Sequence, residues 1–319
     1  MIPNRLAALF LCFVLLFAAV PLPQAFAAPE DEDTGVSDTS DTGEEADSNG
    51  EETESESSSS GETDTQTPGA TNSDNVTAAA SGAPATNAEA ALLVSPDTGM
   101  VLYEKNADER RYPASTTKIM TALIVLENVT DLSETVTAQA SDFETLEADS
   151  SNAGIKEGET VTVEDLLYAL MLPSANEAAY MLARHVAGSY DAFVDMMNQR
   201  AEELGCTGTH FVNPCGLHDD NHYTTARDLY KIAYAAMQDE TFADIADTVQ
   251  WKMTTNFRNE YLMITTNELI RSSYQPYAYA YCKGIKTGNT SQAGNCFVGY
   301  AEYGDAKLYS VVMGCDSTS

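Results

Sequence analysis

Three short stretches of this chain carry side chains whose types and spacing could do chemistry. Ser115 and Lys118 stand three residues apart in Pro113-Ala114-Ser115-Thr116-Thr117-Lys118, where an apolar helical pattern begins. On a helix such a pair shares one face, and the helix start offers free N–H groups and a positive potential. Burial against apolar neighbours lowers an amine's proton affinity. A neutral Lys118 could then take the proton from Ser115 as that hydroxyl attacks a carbonyl. Alone the pair is a weak signal, because a capping serine followed by a surface lysine reads the same way. Ser174-Ala175-Asn176 adds a hydroxyl and an amide at another helix start. Lys286-Thr287-Gly288 ends a tyrosine-rich strand pattern, offering positive charge to a substrate carboxylate, a hydrogen bond, and close approach to the backbone.

Ser-x-x-Lys, a second Ser-x-Asn and Lys-Thr-Gly, in this order, form the motif set of penicillin-binding proteins and β-lactamases. From about residue 89 to its end, the chain resembles the serine-type D-alanyl-D-alanine carboxypeptidases. These are the low-molecular-mass penicillin-binding proteins of bacterial cell walls, the peptidase S11 family. Thr98-Gly99-Met100-Val101-Leu102-Tyr103, Asn213-Pro214-Cys215-Gly216-Leu217, His222-Tyr223-Thr224-Thr225-Ala226-Arg227-Asp228-Leu229 and Gly284-Ile285 before the last motif look like further family landmarks. The resemblance implies that Ser115 is the acylated nucleophile and Lys118 its proton acceptor. It implies that Ser174 and Asn176 complete the proton network and orient the substrate, while Lys286 and Thr287 hold the terminal D-Ala carboxylate. The backbone N–H groups of Ser115 and Asn289 would form the oxyanion hole. The implied partner is a peptidoglycan stem peptide ending in D-Ala-D-Ala, with β-lactams as covalent inhibitors. No cofactor, metal or protein partner is implied.

Two departures stand out: Ser-Ala-Asn-Glu where the family more often has Ser-Gly-Asn-Asp, and Asn289 where an aromatic or His commonly follows Lys-Thr-Gly. The alternatives are a β-lactamase-like hydrolase and a non-catalytic penicillin- or peptidoglycan-binding domain. The first should carry a glutamate that places a deacylating water, and the stretch around Glu164 instead reads as a helix leading into Ser174. The second should have lost Ser115, Lys118 or Lys286, and all three are present.

The elements that must position these groups follow from pattern. Ala91–Val94 and Met100–Tyr103 read as strands around the turn Pro96-Asp97-Thr98-Gly99. Ser115–Glu127 reads as a buried helix, and Thr162 as the cap of a helix through Leu170. Helices follow over Ala175–Ala187, Tyr190–Leu204 and Thr225–Met237, then strands over Tyr277–Ile285, Cys296–Glu302 and Lys307–Met313. Strands, helices, strands implies an α+β fold: an antiparallel sheet built from both chain ends, flanked by helices, with a helical subdomain. The resemblance makes this a β-lactamase/DD-peptidase-like fold. Relatives continue past the last strand with an Arg-containing segment and a helix. The domain at 89–319 is therefore expected to lack its C-terminal helix, leaving an apolar strand face around Leu308 and Val311–Met313.

Charge divides the chain. Its 49 acidic residues face 16 basic ones, a net charge of −33, and residues 29–76 alone hold 16 carboxylates and no Lys or Arg. That balance excludes a phosphate-reading surface, so no nucleic-acid partner is expected, and it opposes adhesion to anionic lipid. Arg5, the apolar run Leu6–Val20 and Ala25-Phe26-Ala27 read as a signal peptide, residues 1–27. Residues 28–88 read as a disordered acidic, Ser/Thr-rich spacer. The protein is therefore expected to be exported and to act outside the cytoplasmic membrane, at the cell wall. In that oxidising setting Cys206 with Cys215, and Cys282 with Cys296, are sequence-close disulfide candidates. His218 and His222 flank two aspartates in a turn-rich loop, which does not present them as a metal pair.

Overall fold

A computed structural model describes residues 76–78, 85–146, 149–271 and 277–316. The expected signal peptide and most of the expected spacer lie outside the described residues. The central sheet has six antiparallel strands in the order β1-β3-β2-β10-β9-β8. These are β1 (Val76–Ala78), β2 (Ala90–Ser95), β3 (Met100–Lys105), β8 (Cys282–Thr290), β9 (Gly294–Tyr303) and β10 (Ala306–Cys315). β10 pairs with β2, Val311 opposite Leu92, so the two chain ends meet in mid-sheet. β1 pairs with β3 and comes from the end of the stretch read as spacer.

Alternation along each strand separates two cores. Ala90, Leu92 and Val94 of β2 and Val311 and Met313 of β10 face the larger core, which the helical layer shares. Ala91, Leu93, Phe297 and Val312 point the other way, with Leu269 beside them. Val311, Val312 and Met313 are fully buried, in contrast to the open apolar strand face expected from the sequence.

The middle of the chain supplies α1 (Lys118–Asn128), α2 (Val163–Met171), α3 (Asn176–Ala187), α4 (Tyr190–Glu203), α5 (Ala226–Ala236), α6 (Glu240–Ala246) and α7 (Glu268–Arg271). Thr162 caps α2 by accepting from Asp165 N–H at 3.0 Å, and Thr225 caps α5 in the same way through Asp228. Two small hairpins escaped the sequence pattern: β4 (Thr135–Thr137) with β5 (Thr160–Thr162), and β6 (Gln250–Met253) with β7 (Tyr261–Ile264). With three or four residues per strand, neither has the length to show a period.

Three expectations need correction. The helix expected from Ser115 begins at Lys118; Ala114–Thr117 forms a tighter 3-10 turn before it. The strand expected over Tyr277–Ile285 starts at Cys282 and runs through Lys286-Thr287-Gly288 to Thr290, so that motif lies inside a strand. Cys206, Cys215, Cys282, Cys296 and Cys315 are all free and buried. Burial raises the thiol pKa of Cys206 and Cys282 to about 12 and of Cys296 to about 11, so these behave as small apolar groups.

Candidate active site

Ser115 sits in the 3-10 turn, where residues three apart eclipse one another. That geometry brings Lys118 Nζ to 3.1 Å from Ser115 Oγ. The turn is bent into place by Ala114, whose φ of 49° is unfavourable for a residue with a Cβ. Gly216 explains how the bend fits: a Cβ there would stand 1.9 Å from the Ala114 carbonyl oxygen. Strand β8 also passes close, since a Cβ on Gly288 would lie 3.0 Å from the Ser115 nitrogen. Ser115 is thus held between a loop glycine and a strand glycine.

Lys118 is completely buried. Besides Ser115, it meets Asn176 Oδ1 at 2.7 Å and the Cys215 carbonyl at 2.7 Å. As an ammonium it donates to all three. As an amine it keeps the two shorter bonds and turns its lone pair to the Ser115 hydroxyl. Burial pushes its pKa from 10.5 down to about 8, against the opposing pull of Cys215 and Glu177. The same residue is therefore a base in waiting near neutral pH.

Asn176 opens α3 and joins Lys118, whereas Ser174 does not join that network. Ser174 has a φ of 65°, and its buried hydroxyl has no hydrogen-bond partner. It lines the cleft beside Ser115. The cleft encloses about 630 Å³ between the 3-10 turn, β8 and the segment Asp149–Ser151. Asn176 N–H donates to the Ser151 carbonyl, and the next residue, Glu177, accepts from Ala153 and Ile155 N–H through one carboxylate oxygen. That cleft wall is therefore registered to Asn176, the partner of Lys118.

Lys286 is also buried, with its amine donating to the Thr287 carbonyl at 3.0 Å. Burial first, then the charge of Lys118, hold its pKa well below 10.5. Burial thus works against the positive charge expected of it. Thr287 Oγ1 lies 2.6 Å from Thr266 Oγ1, and both threonines line the cleft. The Asn289 side chain bonds to Asn295 and the Gly294 carbonyl, within its own hairpin, and the residue lines the cleft.

Thr266, the Cys215 carbonyl and the Glu177 strap were not reached from sequence. Asn213-Pro214-Cys215-Gly216 offered a signal, because Asn213 Oδ1 accepts from the N–H of Cys215 and Gly216 and so shapes the turn. Among the described residues no group of three His, Cys, Asp or Glu forms a metal set. No described helix is long and apolar enough to cross a membrane.

Residues 76–317 match the model of a family described as D-alanyl-D-alanine carboxypeptidase. The chain belongs to this family. It is 33% identical over 237 residues to the D-alanyl-D-alanine carboxypeptidase DacF of Bacillus subtilis, covering 73% of this chain and 59% of that relative. It is 37% identical over 233 residues to a D-alanyl-D-alanine carboxypeptidase of Streptomyces sp. K15, covering 69% of this chain and 78% of that one. The crystal structure of the Streptomyces K15 DD-transpeptidase superposes with a TM-score of 0.67 at 34% identity, over 73% of this chain and 92% of that one. A D-alanyl-D-alanine carboxypeptidase structure from Mycobacterium tuberculosis gives 0.65 at 34%, over 72% and 83%. The fold is accordingly that of the DD-peptidases, an antiparallel sheet flanked by helices. Within the family, this member places Lys118, Asn176 and Ser115 in one bonded cluster.

Proposed function

We propose that this protein is a serine-type D-Ala-D-Ala carboxypeptidase that trims peptidoglycan stem peptides. The observation that carries the reading is the Ser115–Lys118 contact of 3.1 Å, opening on a cleft and backed by two further acceptors on the amine. Lys118, as the free amine, takes the Ser115 proton while Oγ bonds to the carbonyl carbon of the D-Ala–D-Ala peptide. The oxyanion faces the Ser115 and Asn289 N–H groups. The C–N bond then breaks, and terminal D-Ala leaves with a proton returned through Lys118. Water attacks the ester, Lys118 takes its proton, and Ser115 is released with the shortened peptide. Lys286, Thr287 and Thr266 receive the terminal carboxylate, and the Ser174 hydroxyl, which has no side-chain or backbone partner, serves the leaving amine.

The fold's β-lactamase alternative is disfavoured because the described residues lining the cleft include no glutamate, and Glu177 spends one oxygen on backbone N–H groups. The relatives' names and the acidic, signal-like N-terminus support action at the cell wall outside the cytoplasmic membrane. A β-lactam, as a D-Ala-D-Ala mimic, should acylate the same Ser115. The test pairs labelling by fluorescent penicillin with an assay for released D-Ala. Both are expected in the unmodified chain and neither in Ser115→Ala. Labelling that survives the substitution would sink the nucleophile assignment, and labelling without D-Ala release would favour a binder.

A further inference from the structure

His222 is almost fully buried, far from any role that its place in a turn-rich loop suggested. Its ring lies edge-on to Phe211. Val212 N–H donates to Nδ1 at 3.2 Å, which fixes the proton on Nε2. Nε2–H then donates to Thr117 Oγ1 at 2.8 Å. With that lone pair occupied, the Thr117 hydroxyl donates onward to the Ala114 carbonyl at 2.9 Å. The chain of donation runs one way, from Val212 N–H to the carbonyl that precedes the nucleophile. That carbonyl belongs to the left-handed Ala114 and presses on Gly216. A residue with a Cβ does not hold such a conformation by itself.

We propose that His222 is a positioning residue for acylation: through Thr117 it anchors the Ala114 carbonyl and so holds the turn that delivers Ser115 to Lys118. The proposal rests on the DD-peptidase reading for the reaction it serves, not for the hydrogen bonds themselves. An imidazolium would have no lone pair for Val212 N–H, so the arrangement requires the neutral ring. Burial supplies it, pushing the pKa down to about 3, with His210, His218 and Lys118 acting in the same sense and Asp219 against it. His222 moves no proton and touches no substrate. It acts through geometry, and displacing a nucleophile by about 1 Å is enough to cost on the order of 100-fold in rate.

The test separates β-lactam acylation of the full chain into a binding constant and an acylation rate constant. Thr117→Val keeps the side chain's shape and removes both hydroxyl bonds; Thr117→Ser keeps the hydroxyl. The acylation rate constant is expected to fall about 10- to 100-fold in Thr117→Val, with binding unchanged and the rate largely recovered in Thr117→Ser. His222→Phe should be as slow, and the double variant no slower than the slower single one. Wild-type acylation by Thr117→Val, equal defects in Thr117→Val and Thr117→Ser, or multiplying effects would overturn the proposal. Should His222→Phe fail to fold, the two Thr117 variants decide. Nitrogen NMR of the imidazole reads the arrangement independently of activity. His222 should be the neutral Nε2–H form at pH 5, and a protonated ring or the other tautomer there would refute the relay. An unlabelled wild type would refute the proposed activity, and the NMR result would still judge the relay.

Discussion

The two walls of the cleft each bury a lysine, and they treat it differently. On the helical wall, Lys118 has three acceptors within 3.1 Å. On the strand wall, Lys286 donates to a backbone carbonyl of the next residue, and the like charge of Lys118 adds to the effect of burial. Burial opposes the charged form of both. At Lys118 the charges of Cys215 and Glu177 pull against burial, which leaves that amine near pH 8. The strand wall supplies no opposing charge to Lys286, so burial and like charge act on it in the same direction.

The largest effect should come from removing the poised base. Lys118→Met is expected to slow acylation by fluorescent penicillin on the order of 1000-fold, within the usual range for a general base. A loss of less than tenfold would mean that another group takes the Ser115 proton. Lys286→Met should be milder, weakening kcat/KM for a peptide with a free terminal carboxylate about 10- to 100-fold. The corresponding methyl ester should show little of that defect; equal defects on acid and ester would end the carboxylate role. Calorimetry sharpens this arm. Burial opposes the charge on Lys286 and a bound carboxylate favours it, so proton uptake on binding, read from the dependence of the heat on buffer ionisation enthalpy, should be larger in the wild type than in the variant.

A further effect lies in stability. Lys118 binds its proton less tightly folded, at about pH 8, than unfolded, near 10.5. Below pH 8 both states carry it and the cost of burying charge is fully present. Between pH 8 and 10.5 the unfolded chain holds the proton that the folded one has lost, so stability rises with pH. Relative to Lys118→Met, the wild type should therefore gain up to about 3 kcal/mol across that window in denaturant melts. A difference that stays flat with pH would show that Lys118 is not depressed.

The motifs were legible because each is local. Ser115 with Lys118, Ser174 with Asn176, and Lys286 with Thr287 each lie within three residues of each other, so each motif can be read in one short window. The sheet from both chain ends was legible too, since β2, β3, β9 and β10 are long enough to show alternation. What stayed hidden depended on contacts between distant segments. Leading from Ser115, an apolar pattern looks like one helix; the bend at Ala114 exists because Gly216, about a hundred residues away, leaves room for its carbonyl. Cys206 and Cys215 looked like disulfide partners by nearness, yet each thiol is buried in packing of its own, beside Asp228 and Asn213 respectively.

The sequence by itself determined which chemical groups are available and their local spacing: a hydroxyl, two amines, an amide and the glycines that let them approach. It also determined the acidic charge and the alternation that builds the sheet. The tertiary structure decided which lysine is near neutrality, which hydroxyl is left unpartnered, and which histidine is locked in one tautomer. Those properties depend on burial and on acceptors from four separate segments, around residues 115, 176, 215 and 287. Burial is set by the whole packed core, so no window of the chain contains it.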